Sequence, residues 1–241
     1  MSEVIDLTDK KTAFRDRLKA YIPGGGNLDF CLTCGACASG CPASGMEGFD
    51  PRKFLRMVLL GMDEEILNTP WVWLCTMCQR CKYACPMDID IGRMIYYTRQ
   101  QWPHDKVPKG IQKSCDLTLD PNKGNSTGLP KVLWLEIVQD TLNEALEAEP
   151  SWEGLQAPMD KKGAEYYLNQ NAKEPTAEPD EMVPLWKILH TVGIDWTYSS
   201  EFWDATNYCM FTGKDEDWKK VLETQVKVIE ELGCKYYINT E

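Results

Sequence analysis

The chain has 241 residues, 43% of them apolar, and a formal net charge of −11 at pH 7. The acidic excess lies in the second half, because residues 1–110 hold 14 Lys and Arg against 13 Asp and Glu whereas residues 111–241 hold 12 against 24, and this charge argues against nucleic acid as a partner. No apolar run approaches the roughly 18 to 20 residues that a membrane span requires, and the N-terminus has no secretory signal, so a cytoplasmic protein without its own membrane span is predicted.

Helical signals dominate the first hundred residues. The spacing of apolar residues predicts four helices there, at residues 10–21, 51–61, 63–67 and 89–101. The Pro-Gly-Gly-Gly sequence at 23–26 ends the first of them, so residues 1–25 are interpreted as an N-terminal helix and a Gly-rich linker. Asp50 and Pro51 predict the start of the second, since Asp is a favoured N-cap and Pro a favoured first helical residue.

Eight of the 11 cysteines form one arrangement that occurs twice. It consists of Cys31, Cys34, Cys37 and Cys41 followed by Pro42, and of Cys75, Cys78, Cys81 and Cys85 followed by Pro86. The spacing C-x2-C-x2-C-x3-C-P is that of the thiolate ligands of [4Fe–4S] clusters, in which three cysteines come from one tight loop and the fourth stands on the following segment. The sequence therefore predicts two [4Fe–4S] clusters as cofactors.

In two-cluster ferredoxins the fourth cysteine of each run binds the cluster of the other run. We therefore assign one cluster to Cys31, Cys34, Cys37 and Cys85, and the other to Cys75, Cys78, Cys81 and Cys41. Two alternatives stay open: disulfides, and an all-thiolate zinc site that would use four thiols and leave the others without a role. Because the 33 residues between the two runs have helical periodicity, residues 26–112 are predicted to form a helical ferredoxin domain with two neighbouring clusters.

Basic residues are unevenly distributed between the two cysteine runs. Arg80 and Lys82 alternate with the ligands of the second run, whereas residues 32–40 of the first run carry no charge. Positive charge near a cluster favours its reduced, more negative state. Arg80 and Lys82 could therefore raise the potential of the second cluster relative to the first. The alternative, that both side chains only extend into water, stays open at this point.

The second half of the chain has the pattern of an α/β domain. Strands are predicted at residues 164–168, 195–198 and 234–239, and helices at residues 183–192 and 216–232. The predicted apolar face of the last helix consists of Trp218, Val221, Leu222, Val226 and Ile229. Residues 149–181 are rich in Pro and acidic residues and are interpreted as an extended segment on the surface. The predicted fold class of the whole chain is α+β.

The cysteine runs and their flanking residues resemble the iron–sulfur region of the heterodisulfide reductase family. The resemblance is carried by NLDFCLTCGACASGCPASGMEGFDPRKFLRMVLLGMDEE and WVWLCTMCQRCKYACPMDIDIGRMIYYTRQQWP, and further on by NYCMF and LGCKYYINTE. Within this family the chain is most similar to the DsrK/TmcB-type subunits of membrane redox complexes in sulfate-reducing organisms. The resemblance implies electron transfer at the inner face of the cell membrane. The implied partners are a quinone-linked, b-type cytochrome subunit, other redox subunits, and a disulfide substrate or a small sulfur-carrier protein.

The family resemblance also implies a cysteine-rich CCG domain after the ferredoxin part, and the sequence departs from that pattern. Only Cys115, Cys209 and Cys234 remain in the second half, so residues 113–241 are interpreted as an incomplete CCG-type α/β domain without a catalytic site. Cys209 stands where the family has its first ligand, and the next would fall beyond residue 241. We therefore expect the front part of a longer protein, such as one with an in-frame UGA read as stop, and structural roles for the three remaining thiols.

A second functional class is compatible with the same cysteine pattern. The iron–sulfur subunits of flavin dehydrogenases of the succinate, glycerol-phosphate or glycolate oxidase type use a helical ferredoxin domain to receive electrons from a flavoprotein. His104 and His190 are too isolated in the sequence to form a catalytic dyad, and no nucleotide-binding signature is present. The sequence therefore predicts neither a catalytic residue nor a bound nucleotide.

Overall fold

The computed structural model describes residues 13–240, apart from the side chain of His104. The chain divides into two compact units, an N-terminal unit that extends to Val107 and a C-terminal unit that begins at Pro108. The predicted boundary after residue 112 therefore falls inside a helix of the C-terminal unit. Among the helices described, none has the length and apolar character that crossing a bilayer requires.

The N-terminal unit is helical. Its α-helices are α1 (Ala13–Tyr21), α2 (Ala36–Ser39), α3 (Pro51–Leu59), α4 (Asp63–Asn68), α5 (Arg80–Tyr83) and α6 (Ile91–Gln100). Four 3-10 segments lie between or after them, at Pro23–Phe30, Met46–Gly48, Pro70–Trp73 and His104–Lys106. The four predicted helices correspond to α1, α3, α4 and α6, although residues 10–12 of the first lie outside the described part of the chain.

Aspartate side chains fix where three of these helices begin. Asp50 accepts hydrogen bonds from the backbone N–H groups of Arg52 and Lys53 at 2.7 and 3.1 Å, which caps α3. Asp90 caps α6 in the same way by accepting from Arg93 N–H at 2.9 Å. Asp63 reaches across the unit to accept from Phe14 N–H at 3.0 Å, at the start of α1. These carboxylates satisfy N–H groups that have no partner inside the helix.

Apolar residues four positions apart build the core of the N-terminal unit. Phe14 and Leu18 of α1 are fully buried, as are Phe54 and Val58 of α3. The Gly-rich segment is a tight turn, because Gly24 to Gly26 all have φ between +64° and +69°, which glycine adopts without steric strain. The turn directs the following residue of the core, Leu28, into the interior, where it is 1% exposed.

The C-terminal unit combines helices with a small parallel sheet. Its helices are α7 (Lys109–Leu119), α8 (Lys131–Ala148), α9 (Lys173–Ala177), α10 (Val183–Thr191) and α11 (Asp215–Leu232), and its strands are β1 (Tyr166–Leu168), β2 (Trp196–Thr197) and β3 (Tyr236–Ile238). The strand order is β2-β1-β3, with Tyr166 opposite both Trp196 and Tyr236. Residues 13–240 therefore combine helices with a small sheet, in agreement with the predicted mixed class.

Aromatic side chains form the centre of the C-terminal unit. Trp134 of α8 stacks on Trp203 with a centroid separation of 4.3 Å, and Tyr198 lies edge-on to Trp134 at 5.3 Å. Their polar atoms are satisfied, since Trp134 Nε1–H donates to the Ser199 carbonyl at 3.0 Å and Trp186 Nε1–H donates to the Tyr198 hydroxyl at 2.9 Å. The unit thus buries large side chains without leaving these donors unpaired.

Two features of the C-terminal unit correct the sequence interpretation. Residues 149–181, predicted to be an extended surface segment, contain helix α9 as well as the central strand β1, which lies within the strand predicted at residues 164–168. Tyr167, Leu168 and Ala172 within this segment are buried. Helices α7 and α8 were not predicted, although Trp134, Val138 and Thr141 bury one face of α8 at helical spacing. Pro150 and Pro179 each begin a short 3-10 helix and Pro175 lies within α9, whereas Pro158 lies in a stretch without regular structure.

The predicted apolar face of α11 is also wrong in part. Val221 is buried as expected, but Leu222 and Val226 are 41% and 50% exposed. The third buried side chain of this helix besides Val221 and Leu232 is polar: Gln225 donates from Nε2 to the Asp204 carbonyl at 2.8 Å. The helix therefore packs through a narrower stripe than its apolar periodicity suggests.

Truncating the central tryptophan tests the aromatic core. We expect Trp134→Ala to lower the free energy of unfolding of the C-terminal unit by about 3–5 kcal/mol, because it removes a fully buried ring and its hydrogen bond. Urea unfolding and the hydrogen-exchange protection of β1 amides measure the loss. The control Trp152→Ala, at a half-buried ring, should cost much less, and equal costs for both variants would contradict this packing.

Candidate functional site

The eight cysteines of the two runs line two cavities of the N-terminal unit. The first thiol cavity is lined by Cys31, Cys34, Cys37 and Cys85, and the second thiol cavity by Cys41, Cys75, Cys78 and Cys81. Each cavity takes three cysteines from one run and the fourth from the other run. The space between the lining residues, counted together with adjoining open solvent, is about 350 Å³ at the first cavity and about 400 Å³ at the second. Binding of iron and sulfide by these sets stays a prediction.

The backbone of the two runs repeats the same local geometry. Thr33 and Gly35 in the first run have φ of +56° and +88°, and Met77 and Gln79 at the equivalent positions of the second run have +57° and +60°. Left-handed backbone is unfavourable for side chains other than Gly, and above all for a β-branched residue such as Thr33. Strain of this kind persists where a functional site requires it, and here it curls each run so that its first three thiols face one space.

Backbone N–H groups point at the first thiol of each run. Thr33 N–H donates to Cys31 Sγ and Met77 N–H donates to Cys75 Sγ, both at 3.4 Å. Hydrogen bonds of this type stabilise a thiolate and are one of the means by which proteins set cluster potentials. The sequence interpretation missed Thr33 and Met77, and the only signal for them is that they occupy the same place in both runs.

Burial disfavours ionisation of the innermost thiols. Desolvation raises the pKa of Cys37 to about 11 and that of Cys81 to about 12, and it also raises the pKa of Cys75. A thiol with such a pKa is protonated at neutral pH unless a bound cation favours the thiolate. Loading of either cavity with iron therefore has to be accompanied by release of protons.

Apolar residues close both cavities, and one side chain belongs to both. Leu55 and Ile89 line the first cavity, and Phe49 and Ile95 line the second. Ile91, the first residue of α6, lines both cavities and is 1% exposed. Asp90 caps α6, so the start of this helix fixes the position of the Ile91 side chain between the two cavities.

Charged residues near the cavities differ from those the sequence suggests. Arg80 lines the second cavity but is exposed, and Lys82 lies 3.8 Å from the buried carboxylate of Asp90, which offsets its charge. Arg52 of α3 lines the first cavity, so the first site also has a basic neighbour although its loop is uncharged. The predicted contrast between a basic second site and a neutral first site is therefore weaker than the loop sequences indicate.

His190 and the three remaining cysteines belong to the C-terminal unit. Within residues 13–240, no three His, Cys, Asp or Glu side chains converge on one point closely enough to hold a single metal ion. His190 packs edge-on against Trp152 at 6.1 Å between ring centroids. In the C-terminal unit Cys115 of α7 and Cys209 are both fully buried and joined by a disulfide, whereas separate thiols were predicted, and Cys234 is free.

Comparison with known families identifies the N-terminal unit. Residues 27–89 match the family described as the 4Fe–4S dicluster domain. This segment includes all eight cysteines of the two runs and the 33 residues between them. Residues 27–89 thus form a 4Fe–4S dicluster domain, a ferredoxin-like module.

Several curated relatives of the chain are components of heterodisulfide reductases. A component of the H2:CoB-CoM heterodisulfide,ferredoxin reductase of Methanothermobacter marburgensis is 31% identical over 88 residues, which cover 36% of this chain and 46% of that protein. An iron–sulfur subunit of the CoB–CoM heterodisulfide reductase of Methanocaldococcus jannaschii is 40% identical over 69 residues, 29% of this chain and 37% of that protein. A protein of Archaeoglobus profundus, described as similar to a heterodisulfide reductase component, is 34% identical over 79 residues, 32% of this chain and 42% of that protein.

These similarities support the resemblance to heterodisulfide reductases but do not test the assignment to a subgroup. The chain spans less than half the length of each of these relatives. The similarity is to the iron–sulfur components of heterodisulfide reductases, and the assignment to the DsrK/TmcB-type subgroup stays a prediction.

Matched cysteine variants test how the two runs share the cavities. We expect Cys85→Ala to alter the same electron paramagnetic resonance (EPR) signal as Cys34→Ala, although Cys85 belongs to the second run, because both thiols line the first cavity. Cys41→Ala should alter the same signal as Cys78→Ala. The control Cys234→Ala should change neither. If Cys85→Ala instead paired with Cys78→Ala, each run would serve its own cluster.

Proposed function

We propose that this chain binds two [4Fe–4S] clusters and transfers electrons through them as a component of a heterodisulfide-reductase-like complex. The observation that carries the proposal is the grouping of eight cysteines into two cavities of four, each completed by a cysteine from the other run. A [4Fe–4S] cubane takes four thiolates, and this exchange of the fourth ligand is the pattern of two-cluster ferredoxins. The similarity to iron–sulfur components of heterodisulfide reductases supports the choice of complex.

The residues present fit the proposed clusters. Cys31, Cys34, Cys37 and Cys85 would hold the first cluster, and Cys75, Cys78, Cys81 and Cys41 the second. Each cluster, when bound, supplies a one-electron redox couple. The protein supplies the thiolates, the N–H groups of Thr33 and Met77 directed at sulfur, and apolar walls that limit the access of water. All three are means by which proteins set cluster potentials.

Exposure of two equivalent cysteines suggests where electrons enter and leave. Cys34 and Cys78 are exposed, whereas Cys37 is buried and the remaining predicted ligands are half-buried. Each cavity therefore has one thiol on the solvent side, where a redox partner can approach it. Ile91 lies against both cavities, so the internal path is short and requires no moving part.

The proposal extends to the partners that the family resemblance implies. We place the chain with the DsrK/TmcB-type subunits of a membrane-associated complex, in which a quinone-linked, b-type cytochrome exchanges electrons with a thiol–disulfide couple of sulfur metabolism. The parallel sheet of the C-terminal unit and its three cysteines are compatible with a CCG-type domain that lacks its own catalytic site. The chemistry at sulfur would then belong to another part of the complex.

Metal analysis of the anaerobically purified chain tests the cofactor. We expect about eight iron and about eight acid-labile sulfide per chain, as two [4Fe–4S] clusters require, together with broad visible absorption. Cys34→Ala and Cys78→Ala, one in each cavity, should each reduce the iron content, and Cys234→Ala should not. Stoichiometric zinc without sulfide would contradict the proposal in favour of a structural thiolate site.

Purification with native partners tests the complex. Affinity capture of the full chain from its own cells should recover a b-type cytochrome, whose haem bands are oxidised when a disulfide acceptor is added. Recovery of a flavoprotein instead would favour the iron–sulfur subunit of a flavin dehydrogenase. The reduced-minus-oxidised spectrum separates the two, since haem and flavin absorb differently.

A further inference from the structure

Arg99 of α6 is buried beside the second thiol cavity. It is 2% exposed, and among the arginines and lysines of residues 13–240 it alone is fully buried. Its Nε–H donates to the Val72 carbonyl at 2.8 Å, and its Nη2 donates both to Val72 and to the carbonyl of Cys75. Cys75 is the first cysteine of the second run, so the guanidinium is bonded directly to the backbone of a predicted ligand.

The other residues around Arg99 hold its guanidinium group in a fixed position and shield it from solvent. Nη1 lies 3.4 Å from the Sδ of Met77, the residue whose N–H points at Cys75 Sγ. The ring of Trp73 lies under the guanidinium at 5.2 Å. The guanidinium group of arginine is protonated at neutral pH, so this buried side chain carries a full positive charge. A buried charge is screened by water and salt far less than an exposed one.

The first thiol cavity has no equivalent among the described residues. Its basic neighbour, Arg52, has a side chain that is 46% exposed and lies 3.6 Å from the carboxylate of Asp50. Solvent and this carboxylate both reduce its effect on the cavity. Arg80 and Lys82, on which the sequence interpretation relied, are exposed or paired with Asp90. The difference in charge between the two sites therefore resides chiefly in Arg99.

We propose that Arg99 is a positioning residue that orders the backbone of the second ligand run and raises the reduction potential of the second cluster above that of the first. The inference rests on the proposed function, since it needs both clusters. Reduction adds one negative charge to a cluster, and a fixed positive charge nearby stabilises that state. An electron passed internally then leaves the first site and is held at the second, with no bond made or broken and no proton required. Electron transfer within the two-cluster unit is therefore favoured from the first cluster to the second.

Neutralising Arg99 tests the inference through potentials measured by EPR-monitored redox titration of the full chain. Signals are assigned to sites with Cys34→Ala and Cys78→Ala. We expect Arg99→Gln to lower the midpoint of the second cluster by about the equivalent of a tenfold change in its equilibrium, about 59 mV for one electron, and to leave the first unchanged. The control is Arg93→Gln, which removes an exposed charge from the same helix and should shift neither midpoint. An unchanged second midpoint, or equal shifts of both, overturns the inference.

Two further measurements decide the matter if Arg99→Gln fails to assemble the second site. Arg99→Lys keeps the charge while losing the forked hydrogen bonds, so its second midpoint should stay near that of the wild type even where its thermal stability falls. In the wild type itself the second midpoint should be the higher of the two, and the reverse order overturns the inference. Absence of iron and sulfide from the wild type would defeat the proposed function instead, whereas two bound clusters with an unaffected second midpoint defeat only the role of Arg99.

Discussion

Exchange of one cysteine between the two runs is the constraint on which the N-terminal unit depends. Cys41 follows the first run but lines the second cavity, and Cys85 follows the second run but lines the first. Neither cavity can be complete unless the whole segment from residue 31 to residue 85 has folded back on itself. The helices between the runs meet this requirement: Asp50 and Asp90 set the starts of α3 and α6, and both helices place their first residues against the thiols.

The same constraint explains the raised pKa values of the thiols and the backbone strain of the site. Burial makes the thiols of Cys37 and Cys81 costly to ionise and raises their pKa, so these groups are thiolates at neutral pH only with a bound cation. Left-handed residues and sulfur-directed N–H groups prepare the loops for that state. These features fit the proposed electron transfer, which requires a fixed cofactor with a tuned potential and not a reactive thiol.

Local sequence patterns predict the cysteine groups and several helices of the N-terminal unit, but they do not predict helix α8 or the burial of Arg99. The grouping of the cysteines and helices α3, α4 and α6 follow from spacing, caps and periodicity. Helix α8 was missed although Trp134, Val138 and Thr141 mark its face, because Val132 and Leu133 are apolar yet exposed and obscure the helical periodicity. The burial of Arg99 could not be predicted, since an arginine near the end of an amphipathic helix is usually solvated, and only the approach of residues 72–77 encloses it. Long-range contacts of this kind leave no mark in the local pattern.

The EPR spectrum of the fully reduced protein tests the central claim most directly. If crossed cysteines hold two clusters on either side of Ile91, the spins of the two reduced clusters are close enough to interact. The spectrum should then change shape between half and full reduction, with broadening and extra features that no sum of two independent signals reproduces. A fully reduced spectrum equal to the sum of two separate signals would contradict neighbouring clusters, and the absence of any cluster signal would contradict the iron–sulfur assignment itself.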